Sequence, residues 1–204
     1  QGGVFSHEVR SALRGAADAD GDGRVSYAEL AAFVSLANAS IPNPRFRPRF
    51  TVRAPAASPQ GERAPLLDWA PRVGARRREV RIDLPSAGRI SVEDSVGRRL
   101  VDTHVGASGA TLHLPRDPLY VWLRAGDGEY AIGAAPDGDA LPVLLSALAP
   151  SPRRVAVRGA LHEAFRHLFA LPFTLEVVEQ HLASGAAQLD EDAPPPGPWT
   201  RNRG

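Results

Sequence analysis

The sequence predicts an α+β chain in three parts: a helix–loop–helix, a small antiparallel β-sandwich or barrel, and a C-terminal helical pair. Three observations carry this. An Asp/Gly-rich stretch at residues 18–29 lies between two segments whose apolar residues recur with helical spacing. Between residues 75 and 136, short segments alternate apolar and polar residues and are separated by turn residues. From residue 137 the helical period returns. At 204 residues and 43% hydrophobic content, the chain suits one domain or two small ones with a real core.

Residues 1–40 form the helix–loop–helix. Val4, Phe5, Val9 and Leu13 share much of one face of the entering helix, and Leu30, Phe33, Val34 and Leu36 follow with helical spacing on the other side. Between them runs Asp18-Ala19-Asp20-Gly21-Asp22-Gly23-Arg24-Val25-Ser26-Tyr27-Ala28-Glu29. Read as a twelve-residue loop, this is the EF-hand pattern, with Asp at positions 1, 3 and 5, Gly at 6 and Glu at 12. Calcium takes roughly six to eight oxygens at about 2.3–2.6 Å. Asp18, Asp20 and Asp22 each offer a carboxylate oxygen, and Arg24 offers its backbone carbonyl. Ser26 suits a position served through water, and Glu29 closes the shell with both oxygens. Gly23 falls where the chain turns sharply and a Cβ is penalised. Four carboxylates this close repel one another without a cation. Ser26 and Glu29 also have capping-box spacing for the second helix. The competing reading is an Asp/Gly-rich turn between helices. EF-hands usually work in pairs, and no second loop is found: Asp127-Gly128 and Asp137-Gly138-Asp139 are too short and read as turns.

Residues 41–74 are punctuated by proline, which fixes φ and removes donors, so they read as an extended, mostly irregular connector. Within it, Phe50-Thr51-Val52 is a candidate strand, and Phe46, Phe50 and Trp69 are expected to pin the connector to its neighbours. Arg45, Arg47, Arg49 and Arg53 alternate with apolar residues and read as a solvated face rather than a nucleic-acid strip. Residues 75–136 hold the β-domain. Val80–Leu84, Ile90–Val92, Leu100–Val105, Thr111–Leu114, Leu119–Leu123 and Glu129–Ile132 are its strands, and Tyr120, Trp122 and Tyr130 read as cross-strand packing. Residues 137–185 are expected to be helical. They comprise the apolar segment Leu141–Leu148, an amphipathic helix through Leu161, Ala164, Phe165 and Leu168, and a helix from about Thr174 to Ala183. The tail, 186–204, with Asp190-Glu191-Asp192 and a proline run, has the composition of disorder.

Composition narrows the function. With 24 basic and 23 acidic residues the net charge is +1, which gives no case for nucleic acid or an anionic membrane surface. The basic residues are all arginine, which fits a coding bias rather than an arginine-specific role. The chain has no Cys, so it holds no disulfide, thiolate metal site or cysteine nucleophile. It has no Met either, and opens on Gln1-Gly2-Gly3 in the approach to a helix, as expected of a piece of something longer. It shows no signal peptide and no apolar run of membrane-spanning length, and a cytoplasmic location is expected. His162-Glu163-Ala164-Phe165-Arg166-His167 is a decoy for the zinc motif H-E-x-x-H: its histidines are five apart, about 140° around a helix, and cannot easily share one ion. A nucleophile elbow and a glycine-rich phosphate loop are both missing.

The run from Gly2 to Gly15, GGVFSHEVRSALRG, resembles the small-subunit segment of caspase-like cysteine peptidases. In bacterial members a similar helix often runs into Ala-Asp-Ala-Asp-Gly-Asp-Gly-Arg-Val and a second helix like Tyr27–Val34. The β-rich stretch and Arg158–Phe165 also resemble the C-terminal extension of such proteins from high-GC, myxobacterium-like bacteria. The resemblance implies a cysteine endopeptidase whose Cys and His lie upstream of the matched segment. This chain would then be its non-catalytic C-terminal portion, inactive alone, with the catalytic portion as its partner. One structural or regulatory Ca²⁺ would brace or regulate the whole. The alternative expectation is a stand-alone calcium-binding interaction module whose β-sandwich recognises a protein or glycan.

Overall fold

The computed structural model describes residues 3–48, 50–69, 77–83, 88–123, 128–134, 142–151 and 168–188. Helix α1 spans Val4–Ser11 and runs into a π-helical turn, Ala12–Ala16, in which Gly15 takes φ +98°. Strand β1 is Arg24–Ser26 and helix α2 is Tyr27–Ala39. Ser26 caps α2: its side chain accepts from the Glu29 N–H, and the Glu29 side chain accepts from the Ser26 N–H, the reciprocal box expected from the spacing. Alanine suits the middle of this helix twice over, favouring the helical state and letting neighbours approach closely. Ala28, Ala31, Ala32 and Ala37 are buried, as are Leu30, Phe33 and Val34, so α2 is covered on most sides.

The inward face of α1 differs from the expected one. Val9 and Leu13 pack against the core, but Val4 and Phe5 stay 38% and 42% exposed. His7, Glu8 and Ser11 turn inward instead. Polar groups can be buried here because each meets a partner, described below.

In the connector, β2 is Pro65–Asp68, and it pairs antiparallel with β1. The candidate strand Phe50–Val52 has no regular structure. Trp69 is buried and Phe50 packs against the core, whereas Phe46 is 76% exposed and pins nothing.

The six strands expected between 75 and 136 are all present: β3 Arg77–Ile82, β4 Arg89–Asp94, β5 Arg99–His104, β6 Ala110–Pro115, β7 Leu119–Leu123 and β8 Gly128–Ile132. With β9, a two-residue strand at Val143–Leu144, they form two open sheets, β6-β3-β9 and β5-β4-β7-β8, and no closed barrel among the described residues. Every pairing is antiparallel except β3 with β9, Val143–Leu144. Val80, Ile82, Leu112 and Leu114 from one sheet and Ile90, Val92, Val101, Leu119 and Val121 from the other belong to one core, together with Phe33 and Val34 of α2.

Strand β9 corrects the expectation of a helical return at 141–148: the stretch is a two-residue strand followed by a 3₁₀ turn, Leu145–Ala147. A short apolar run fits either state, and Pro142 withholds the donor that an interior helical position needs. Helix α3, Leu175–Gln188, matches the expected last helix and extends it. Phe173, just before it, meets Phe33 edge-on at 5.3 Å between ring centroids. The amphipathic helix expected through Leu161–Leu168, with the His162–His167 decoy, and the tail beyond Gln188 fall almost wholly outside the described residues. Among the described residues no helix is long and apolar enough to cross a membrane.

Candidate metal centre

The site is set by a loop between two immobilised helix ends. At its entrance Gly15 lies against β6 so closely that a Cβ there would sit 2.3 Å from the Thr111 carbonyl oxygen. At its exit the capping box fixes the start of α2. Across the helices, Asn38 Nδ2 donates to Glu8 Oε2 at 2.9 Å, a buried bond joining α2 to α1. His7 Nε2 lies 2.9 Å from Asp102 Oδ2, and Ser11 Oγ accepts the Asp102 N–H at 3.1 Å, tying α1 to β5. Asp102 also accepts from Arg89 Nη2 at 3.2 Å.

Within the loop the backbone N–H groups turn toward the acidic side chains. Asp18 takes the N–H groups of Gly21 at 2.8 Å and Gly23 at 3.1 Å. Asp20 takes that of Asp22 at 3.1 Å, and Asp22 that of Arg24 at 2.8 Å. Gly23 has φ +79°, in the left-handed region, so the expected reason for glycine at this position holds. The result is a cluster: one oxygen each from Asp18, Asp20 and Asp22 lie within 4.8 Å of one another. Oxygens held at about 2.3–2.6 Å by one Ca²⁺ are separated by at most twice that distance, so the three fit a single hard cation.

The other expected ligands are placed differently. Glu29 is buried, and its carboxylate bridges the ends of the loop. Oε1 accepts the Ala19 N–H at 2.9 Å, and Oε2 accepts the Ser26 N–H at 2.8 Å and the Ser26 hydroxyl at 2.9 Å. Glu29 thus serves as cap and loop tie, outside the Asp cluster. Ser26 is occupied as its capping partner. The Arg24 side chain points away, as expected, and pairs with Asp68 at 3.1 Å on the surface. Burial raises the Asp18 carboxyl to about 6, opposed by the Gly23 and Gly21 N–H groups and reinforced by the negative charges of Glu29 and Asp22. A cation in the cluster would reverse that balance.

The expectation of a mostly irregular connector over residues 41–74 missed a second segment that borders the site. Strand β2 pairs with β1 in the register Arg24 to Asp68, Val25 to Leu67 and Ser26 to Pro65, with a bulge after Val25. Gly23 accepts the Trp69 N–H at 2.9 Å, and Ala64 accepts the Tyr27 N–H at 3.2 Å. Asp20, Asp22 and Glu29 therefore face a cleft of about 280 Å³ that is also lined by Gln60, Arg63 and Pro65. The one available signal was the apolar run Leu66-Leu67 ahead of Trp69 in an otherwise Pro- and Ala-rich stretch.

Comparison of the chain with protein-family models, with curated proteins and with solved structures finds no match.

Proposed function

We propose that residues 18–29 are an EF-hand-type loop binding one Ca²⁺, and that the ion fixes α1 and α2 relative to each other. The observation that carries this reading is the convergence of Asp18, Asp20 and Asp22 within 4.8 Å on a loop whose backbone N–H groups already orient them. Asp18, Asp20 and Asp22 would hold the ion with the Arg24 carbonyl, with Ser26 acting through water. Glu29 would join by exchanging its bonds to Ala19 and Ser26 for the cation. Calcium supplies fixed positive charge here and no reaction chemistry. On the resemblance to caspase-like peptidases, the braced unit is the non-catalytic C-terminal portion of such an enzyme. It supports or regulates a catalytic portion and contributes no nucleophile of its own.

Isothermal titration with Ca²⁺ tests the reading directly, with Asp18→Ala and Glu29→Gln as controls. The wild type should bind one ion, and both variants should lose at least about tenfold in affinity, since each removes a carboxylate ligand. In excess calcium the wild type should also unfold at higher temperature than in chelator, because a ligand that binds only the folded state stabilises it. A wild type that gives no binding heat and no thermal shift would defeat the proposal.

A further inference from the structure

Both ends of the metal loop are fastened to the same distant strand. At the entrance, Gly15 packs on β6, and a Cβ placed there would meet Thr111 O at 2.3 Å and His113 Cδ2 at 3.3 Å. At the exit, β1 is paired to β2, and β2 leads into Trp69. The Trp69 indole, 4% exposed, stacks on His113 with centroids 4.5 Å apart and planes at 15°. The entering helix end and the connector therefore converge on His113.

Beyond the β1 pairing and the Trp69–His113 stack, Leu67 packs on the core and Asp68 pairs with Arg24. Glu62 accepts the Ala54 N–H and Arg77 lies over the Trp69 ring; the rest of residues 60–69 is weakly held. Pro65 and Leu66 are exposed, and the bidentate pair between Arg63 and Glu179 of α3 is a solvent-exposed one. A pair of strands only three or four residues long is marginal without outside support. The backbone groups that bind the connector, from Gly23 to Tyr27, lie inside the loop that closes around the ion.

We propose that ion binding by loop 18–29 and docking of residues 60–69 are one coupled equilibrium. Calcium clamps β2 onto β1 and seats Trp69 on His113, and loss of the ion releases the connector. This rests on the calcium reading above and adds its regulation: β2 supplies the pairing partner that β1 lacks without a second loop. Coupling of this kind is reciprocal, so whatever loosens the connector weakens ion binding by the same factor. None of the residues that make the clamp, Pro65–Trp69 and His113, is a proposed ligand.

Hydrogen–deuterium exchange of the whole chain in calcium and in chelator is the test, read beside calcium titration. Amides of residues 64–69 should exchange at least about tenfold more slowly with calcium, within the usual range of coupling. Trp69→Ala should weaken calcium binding by a similar factor, and Trp69→Phe, which keeps an aromatic ring on His113, should restore most of it. Equal exchange at 64–69 in both conditions, in a wild type that binds calcium, overturns the coupling whether or not Trp69→Ala folds. Absence of calcium binding by the wild type is a separate result, which removes the site itself.

Discussion

Glu8 accepts a 2.9 Å hydrogen bond from Asn38, a buried bond between the helices on either side of the acidic loop. It is made by a charged residue, a type seldom fully buried without a partner. Burial raises the Glu8 carboxyl above the ordinary glutamate range, and the Asn38 amide opposes the rise. A group whose folded value is raised adds stability below its unfolded value and loses it as pH rises through the folded one. Glu8→Gln keeps an acceptor for Asn38 without the buried charge. It should match or exceed wild-type stability at pH 7, by up to about 1 kcal/mol, with the advantage gone at pH 4. Glu8→Ala leaves the Asn38 amide short of a partner and should cost about 2–3 kcal/mol. Urea unfolding at the two pH values checks both.

Asp102 anchors the other side of α1. It is fully buried and lies within 3.4 Å of side-chain nitrogens from His7, Arg89 and Arg99. Removing one partner of such a group leaves uncompensated charge in the interior, which typically costs about 3–5 kcal/mol. Asp102→Ala should therefore approach the whole stability of the domain, and soluble yield and thermal midpoint should fall sharply. Arg63→Ala, which breaks an exposed ion pair, should change stability by less than about 1 kcal/mol. Comparable losses in the two variants would show that the Asp102 cluster is hydrated in solution.

Two glycines with similar backbone angles should behave differently. Gly15 and Gly23 have φ +98° and +79°, so alanine strains both. At Gly23 nothing lies within 4 Å of an added Cβ, and the expected cost is the conformational one, about 1–2 kcal/mol. At Gly15 the Cβ would also meet Thr111 O at 2.3 Å, a backbone atom that cannot rotate away. Gly15→Ala should therefore cost clearly more, about 3 kcal/mol or above, by separating the helix end from β6. Equal losses in chemical denaturation would mean the contact with β6 is looser than its geometry.

The elements legible in the sequence are those set by local pattern. Val80, Ile82, Leu112, Leu114, Val121 and their neighbours alternate with polar residues, so the strands could be placed without knowing their partners. The Asp18–Glu29 spacing likewise showed which side chains could converge. What escaped was decided by contacts far apart in sequence. Glu8 and His7 are buried because Asn38 and Asp102 come to meet them, 30 and 95 residues away. Strand β2 forms because β1 has an open edge, and four residues of Pro-Leu-Leu-Asp carry too little pattern to announce it. Val143–Leu144 became a strand because β3 offered Val80 and Arg81 as partners.

His113 gives the pH dependence its sharpest test. Burial first, and the Arg77 cation second, push its imidazole down to about 4. The unfolded chain titrates near 6.5, so between these values the unfolded state binds more protons and stability rises with pH. The contribution is complete above about pH 6.5 and lost as the pH falls toward 4. At about 1.4 kcal/mol per unit this amounts to at most about 3 kcal/mol. Asp18 works in the opposite sense in calcium-free protein, since a carboxyl raised to about 6 loses its contribution as pH rises through that value. The two slopes partly cancel in the wild type, so the variant must isolate one. The free-energy gap between wild type and His113→Gln, measured in chelator, should widen by about 2–3 kcal/mol from pH 4.5 to pH 7.5. A constant gap would mean that His113 titrates as a solvated histidine, which is incompatible with a closed stack against Trp69.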